Sequence, residues 1–265
     1  MVHLKKTISA FVFICFCLKA FPQDSRGKNE IGLQVGGSFY TGDLAPSIGG
    51  TLKTARPAIG IYYNRYLGNY FSIRANLMAG GLFGDDSLNA NPEYMRRRKF
   101  RFHSPLAEAS LLAQFDIFGT NGSIPTNKIS PYVFAGVGAA FINVHRDWSR
   151  IDSSMIHVGG STLAGLIKDS SAQMPNVLPV VPVGAGIKYH AWPRVALTFE
   201  ANYRIAFTDY IDGFSYAANP GKNDGYYSLT IGAVYNFGGG SGSGGGFGGG
   251  RKSRRGSIGC PTKVY

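Results

Sequence analysis

Residues 224–237, Asp-Gly-Tyr-Tyr-Ser-Leu-Thr-Ile-Gly-Ala-Val-Tyr-Asn-Phe, restrict the fold more than any other stretch of this chain. Tyr227, Leu229, Ile231, Ala233, Tyr235 and Phe237 fall on one side of an extended strand. Tyr226, Ser228, Thr230, Gly232, Val234 and Asn236 fall on the other. One side is greasy, the other small or polar, and aromatics mark both ends. Strands of transmembrane β-barrels have this form, because one face meets lipid, the other meets the lumen, and aromatic girdles sit at the two interfaces.

The pattern recurs seven more times. Apolar residues alternate with small or polar ones over Ile31–Phe39, Ile59–Tyr63, Phe71–Ala79, Ala107–Ile117, Val133–Phe141, Val181–Tyr189 and Val195–Phe207. The expected fold is all-β: an eight-stranded antiparallel transmembrane β-barrel with four long external loops and short periplasmic turns. Connection lengths support it independently. Gly68-Asn69 and Ala191-Trp192-Pro193 are tight links, and 119–129 is intermediate. The connections 41–56, 83–103, 143–176 and 208–223 are long. Long and short alternate, as in outer-membrane barrels. The loop 143–176 exceeds the usual length of a structureless connection, which predicts structure of its own.

The N-terminus is read as a secretory signal peptide over 1–22. Lys5 and Lys6 precede an apolar run from Ile8 to Leu18, and Gln23-Asp24-Ser25 follows. Cys15 and Cys17 stand after Ile14 and Phe16, not after the small residue that lipidation prefers. They leave with the signal, so Cys260 is the single cysteine of the expected mature chain and no internal disulfide framework is possible. No run of about 18 apolar residues follows, so no transmembrane helix is expected. The hydrophobic share of 44% is that of an ordinary protein. A barrel averages its two faces to such a value.

The domain organisation expected is a signal over 1–22, an outer-membrane barrel over 23–237, a Gly-rich linker over 238–250 and a basic periplasmic tail over 251–265. Both termini then lie in the periplasm. The linker is a flexible coil of very roughly 20 Å reach.

An eight-stranded barrel has a lumen about wide enough to be filled by side chains. The lumen face carries Arg74, Glu108, Asp116, Lys188, Glu200 and Arg204. Opposite charges buried together are expected to pair, since an isolated buried charge is very costly. Glu200 and Arg204 lie four apart on one strand and share its face. The expected result is a salt-bridged polar core that plugs the barrel.

No enzyme, cofactor or metal is expected. Nucleophilic acyl chemistry requires a positioned nucleophile, base and acid. His103-Ser104 with Glu108 resembles lipid A deacylase chemistry only loosely, because those enzymes place one residue between His and Ser on the exterior. His145, Asp147 and His157 share a loop without metal-ligand spacing.

Basic charge falls in two places. Arg96, Arg97, Arg98, Lys99 and Arg101 cluster in the second long loop, beside Phe100 and Phe102. At an outer leaflet their expected partner is lipopolysaccharide phosphate, through charge-assisted hydrogen bonds. Arg251, Lys252, Arg254, Arg255 and Cys260 lie beyond the Gly tract and read as a tethered tip for a periplasmic partner. The pI of 9.7 alone would suit nucleic acid, but none is expected outside the cell.

Several segments resemble one known family. They are Glu30-Ile31-Gly32 through Gly36-Gly37-Ser38-Phe39-Tyr40-Thr41-Gly42-Asp43-Leu44, Tyr62-Tyr63-Asn64-Arg65-Tyr66, Thr208-Asp209-Tyr210-Ile211-Asp212-Gly213-Phe214-Ser215 and Asp224-Gly225-Tyr226-Tyr227. Together they resemble the PorG-like outer-membrane barrels of the Bacteroidetes type IX secretion and gliding machinery. The resemblance implies a non-enzymatic barrel that links the outer membrane to a periplasmic ring built from a lipoprotein and its partner. The alternative is a general barrel, structural or lipid-acting, with no secretion role.

Overall fold

The computed structural model describes residues 29–42, 44, 53–88, 99–121, 124–125, 127–150, 161–172, 174–208, 210–217 and 224–237. The expected signal peptide, Gly-rich linker and basic tail lie outside the described residues.

The chain forms eight long strands: β1 (Asn29–Thr41), β2 (Arg56–Tyr66), β3 (Phe71–Asp85), β4 (Arg101–Asp116), β5 (Ile129–Ile142), β6 (Val177–Trp192), β7 (Val195–Ala206) and β8 (Gly225–Phe237). Each pairs antiparallel with its neighbours in sequence. β1 also pairs with β8, from Asn29↔Phe237 to Thr41↔Gly225, and this closes the sheet into a barrel.

Side-chain direction follows the period of two. Odd-numbered positions face outward over most of the wall: Leu33 is 61% exposed, Val137 65% and Ile231 60%, while inward Arg74 and Arg204 are each 1% exposed. This inverts a water-soluble core and is the arrangement of a transmembrane β-barrel. Among the described residues, no helix is long and apolar enough to cross a membrane. Aromatics ring the short-turn end, where Phe71 packs on Phe115 at 5.0 Å and Tyr63 on Phe237 at 6.3 Å. At the long-loop end Phe39 stacks on Tyr227 at 4.7 Å.

The strands run further toward the long-loop end than the alternation predicts. β3 continues to Asp85, β4 starts at Arg101 and β6 starts at Val177. The physical reason lies inside. In this part of the lumen the inward side chains are Leu82, Leu106, Ala140, Ile142, Leu178 and Val180, all buried. Both faces are then apolar, as in Val177-Leu178-Pro179-Val180, and the alternating signal vanishes.

The third long connection does carry structure. A 3-10 turn spans Trp148–Arg150, and helix α1 spans Ser161–Ser171. Leu166 and Asp169 of α1 are buried and turn toward the barrel mouth, whereas Ile167 and Lys168 are exposed.

Candidate functional site

The lumen is built in layers. Nearest the short-turn end, Lys188 Nζ lies 2.8 Å from Glu30 Oε2. Asn64 Nδ2 donates to Glu30 Oε2 at 3.2 Å, and Tyr66 OH donates to Oε1 at 3.1 Å while accepting from Lys188 at 2.8 Å. In the next layer Arg74 Nη2 donates to Glu200 Oε1 at 2.6 Å, as does Tyr132 OH. The Arg74 guanidinium also covers the Tyr62 ring at 3.6 Å, a cation–π contact.

A neutral layer follows. Gln34 Nε2 donates to Asn76 Oδ1, Asn76 Nδ2 to Ser110 Oγ, and Thr230 Oγ1 to Gln34 Oε1. Above it Arg204 Nε donates to Glu108 Oε2 at 2.9 Å, and Tyr226 OH donates to the same oxygen at 2.9 Å. Arg204 Nη1 donates to Ser228 Oγ and to the Asn202 carbonyl. Three ion pairs thus bridge the lumen, each joining strands that are far apart in sequence.

The structure brings Arg74, Glu108, Lys188, Glu200 and Arg204 into this network. Glu200 and Arg204 do not pair with each other. Residues four apart on a strand are about 13 Å apart along it, so each reaches across to another strand instead. Asp116 is buried, and both its oxygens accept from Gln114 Nε2, at 3.3 and 3.2 Å. No described cation lies within ion-pair distance of it. Sequence reasoning missed Glu30 as a lumen charge. Its signal was available, since Glu30 shares the parity of Gln34 and Ser38.

An apolar cap closes the long-loop end. Tyr40, Leu44, Phe100, Phe102, Leu166, Ile211, Phe214 and Ala217 form one buried cluster with the upper lumen residues. Phe100 stacks on Phe214 at 4.6 Å, and Tyr40 meets Phe102 edge-on at 4.9 Å. Three of the segments that carry the family resemblance meet here, through Tyr40, Asp212 and Asp224, whereas Tyr62–Tyr66 lies toward the short-turn end. Tyr40 OH lies 2.8 Å from Asp212 Oδ2 and 2.7 Å from Asp224 Oδ1. Asp224 Oδ2 accepts from the Ile211 amide and Asp212 Oδ1 from the Phe214 amide. A Cβ on Gly42 would lie 2.0 Å from Asp224 Oδ1 and 2.1 Å from the Tyr40 hydroxyl, so only glycine fits beside this knot. Gly213 turns the loop at φ +82°, a conformation side chains disfavour.

Helix α1 clasps the cap. Asp169 accepts from the Tyr216 and Ala217 amides, at 3.1 and 2.9 Å. Arg146 Nη1 donates to the carbonyls of Asp169 and Gly213 and ties loop three to loop four. Burial lowers the Arg146 pKa and the Asp169 charge opposes that, so the group remains a cation at any physiological pH. Asp169→Ala removes two charge-assisted bonds and leaves two backbone N–H groups without them. A loss of about 2–3 kcal/mol, confined to the cap, is expected. Hydrogen exchange of residues 210–217 should then accelerate roughly 30- to 150-fold, with the barrel strands unchanged.

His103 and Ser104 point to opposite faces. His103 is exposed on the exterior and stacks on His145 at 5.0 Å. Ser104 is buried inside, where its hydroxyl accepts from the Asn143 amide at 3.1 Å. Glu108 is occupied by Arg204 and Tyr226. The carboxylate of Asp147 accepts from the amide and hydroxyl of Ser149. His157 lies outside the described residues, as do Arg96, Arg97, Arg98, Arg251, Lys252, Arg254, Arg255 and Cys260. Lys99 is exposed in a left-handed conformation (φ 57°), and Arg101 begins β4 at the rim. Among the described residues, no group of three or more His, Cys, Asp or Glu is arranged to hold a metal.

Residues 8–238 match the family model described as Domain of unknown function (DUF6089). No curated protein matches the sequence. Three solved outer-membrane proteins are similar in structure. The N-terminal β-barrel domain of Pseudomonas aeruginosa OprF is 14% identical, covering 80% of this chain and 100% of that one, with a TM-score of 0.41. Ail, the attachment invasion locus protein of Yersinia pestis, is 10% identical, covering 80% and 99%, with a TM-score of 0.42. Neisserial surface protein A is 14% identical, covering 79% and 97%, with a TM-score of 0.43. The likeness is one of barrel architecture, and no activity is carried over with it.

Proposed function

The chain belongs to the DUF6089 family, and on that premise we propose that it is a non-conducting, non-enzymatic outer-membrane barrel that anchors a periplasmic assembly. The assembly is the ring of the type IX secretion machinery, as the resemblance to PorG-like barrels implies. In this reading both termini face the periplasm, and the basic tail beyond the Gly tract contacts the ring lipoprotein and its partner.

One observation carries the proposal: three buried ion pairs bridge the lumen and an apolar cluster caps it. Arg74–Glu200, Lys188–Glu30 and Arg204–Glu108 bridge it with side chains that are at most 5% exposed. Above them sits the apolar cap of Phe100, Phe102, Ile211 and Phe214, all buried. A plugged barrel contributes a fixed membrane position and two surfaces, not a passage. Anchoring uses those features.

The test is affinity purification of the full-length protein from mildly solubilised envelopes, with mass spectrometry of what accompanies it. Stoichiometric recovery of a periplasmic lipoprotein and its ring partner is expected. Deleting 238–265 is expected to leave the barrel inserted and reduce that recovery. A barrel recovered alone, with secretion intact in its deletion strain, would overturn the anchoring role.

A further inference from the structure

Two guanidinium groups converge on one aromatic ring at the outer rim of the wall. The Arg56 guanidinium lies 4.3 Å from the centroid of Phe83, and that of Arg101 lies 5.2 Å from the same ring. Each is attracted to the ring face, yet they repel one another. Arg56 is exposed and has no carboxylate partner among the described residues. Among the described residues Arg101 has one carboxylate partner, Asp85, at 3.8 Å. Asp85 Oδ1 is engaged by the Ser87 amide and hydroxyl. His103, paired with Phe83 across the strands, adds an exposed imidazole to the row.

Directly below this row the wall is indented. Gly81 and Pro105 pair next in register, then Ala79 with Ala107, then Leu77 with Ala109. Below Gly81 and Pro105, the small Ala79, Ala107 and Ala109 lie between the larger Ile59, Leu77 and Phe141, and together they line an outward groove of about 500 Å³. The groove lies within the apolar belt, and Phe83 and His103 of the cationic row stand four residues, or roughly 13 Å, above its uppermost lining residues Ala79 and Ala107. A lipid with its phosphate at the row passes its acyl chain over Gly81 and Pro105 to reach the groove.

We propose that Arg56, Phe83 and Arg101 form a seat for the phosphate of an outer-leaflet lipid whose acyl chain lies in the groove between Ile59 and Phe141. Planar guanidinium groups match phosphate oxygens in paired, charge-assisted hydrogen bonds. An anion between the two arginines removes their mutual repulsion. The small residues leave room for a chain that a flush wall would exclude. Arg56, 40 positions or more away in sequence from the basic run 96–101, joins that run's partner chemistry only through the fold. The proposal rests on placement in an outer membrane with the long loops outward and is independent of any anchoring role.

Native mass spectrometry of the full-length barrel in detergent tests it, with diphosphoryl lipid A, dephosphorylated lipid A and inorganic phosphate as separate probes. Diphosphoryl lipid A is expected to be retained at least about tenfold more tightly than the dephosphorylated form. The double variant Arg56→Gln/Arg101→Gln loses that preference, and the corresponding double lysine variant keeps part of it. Ala107→Trp fills the groove on the lipid-facing side, where folding does not depend on it, and lowers retention by a similar factor. Equal retention by the wild type and the glutamine variant would overturn the seat. Inorganic phosphate bound as tightly as the lipid would overturn the groove's part in it.

Discussion

Glu200→Ala is expected to destabilise the barrel by about 3–5 kcal/mol, the cost of leaving a buried charge without its partner. Arg74 is 1% exposed and its guanidinium donates to Glu200 at 2.6 Å. Arginine cannot shed its proton at any usable pH, so the orphaned cation has no chemical escape. Tyr132 OH loses its acceptor in the same step. Denaturant unfolding in lipid vesicles reads the loss. The double variant Arg74→Met/Glu200→Leu removes both charges and should be more stable than the single one, since apolar replacement of a buried pair is often neutral or better. A single-variant loss below about 1 kcal/mol would mean that water reaches Arg74 and that the lumen is not sealed at this layer.

Lys188→Met is expected to cost a similar amount near neutral pH, about 3–5 kcal/mol, but with a different pH dependence. Here the orphan is Glu30, which is 2% exposed and keeps only the Asn64 and Tyr66 donors. A carboxylate escapes its predicament by taking up a proton. The deficit relative to wild type is therefore full at neutral and alkaline pH and shrinks as the solution is acidified. Glu200→Ala shows no such rescue, because its orphan is an arginine. Unfolding midpoints of wild type and both variants, measured across pH, separate the two cases. A Lys188→Met deficit that stays constant on acidification would show that Glu30 is not the group left charged.

The eight strands were legible because a transmembrane wall imposes its own period. Lipid on one side and packed polar side chains on the other force Leu33, Val35, Ile59, Ile61, Leu229 and Ile231 to alternate with smaller or polar neighbours. The signal fails where the lumen itself is apolar, so the upper parts of β3, β4 and β6 carry no clear alternation. The charges inside were legible as a set. Parity alone places Arg74, Glu108, Lys188, Glu200 and Arg204 on the inner face, and Glu30 by the same rule.

Which charge meets which was not legible. Arg74 and Glu200 are 126 residues apart, Lys188 and Glu30 158 apart, and Arg204 and Glu108 96 apart. Those meetings depend on closure of β1 against β8 and on the register of every strand between. The same holds for Tyr40 with Asp212 and Asp224, and for Arg56 with Arg101 over Phe83. The sequence by itself determined the strand period, the facing of each residue and the sign of the charges inside, because these depend only on local backbone geometry and the two solvents of the wall. The pairing of those charges, the sealing of the mouth and the cationic seat above the groove were decided by the tertiary structure. Each depends on how far the closed barrel shifts one strand against another, a quantity no local run of residues encodes.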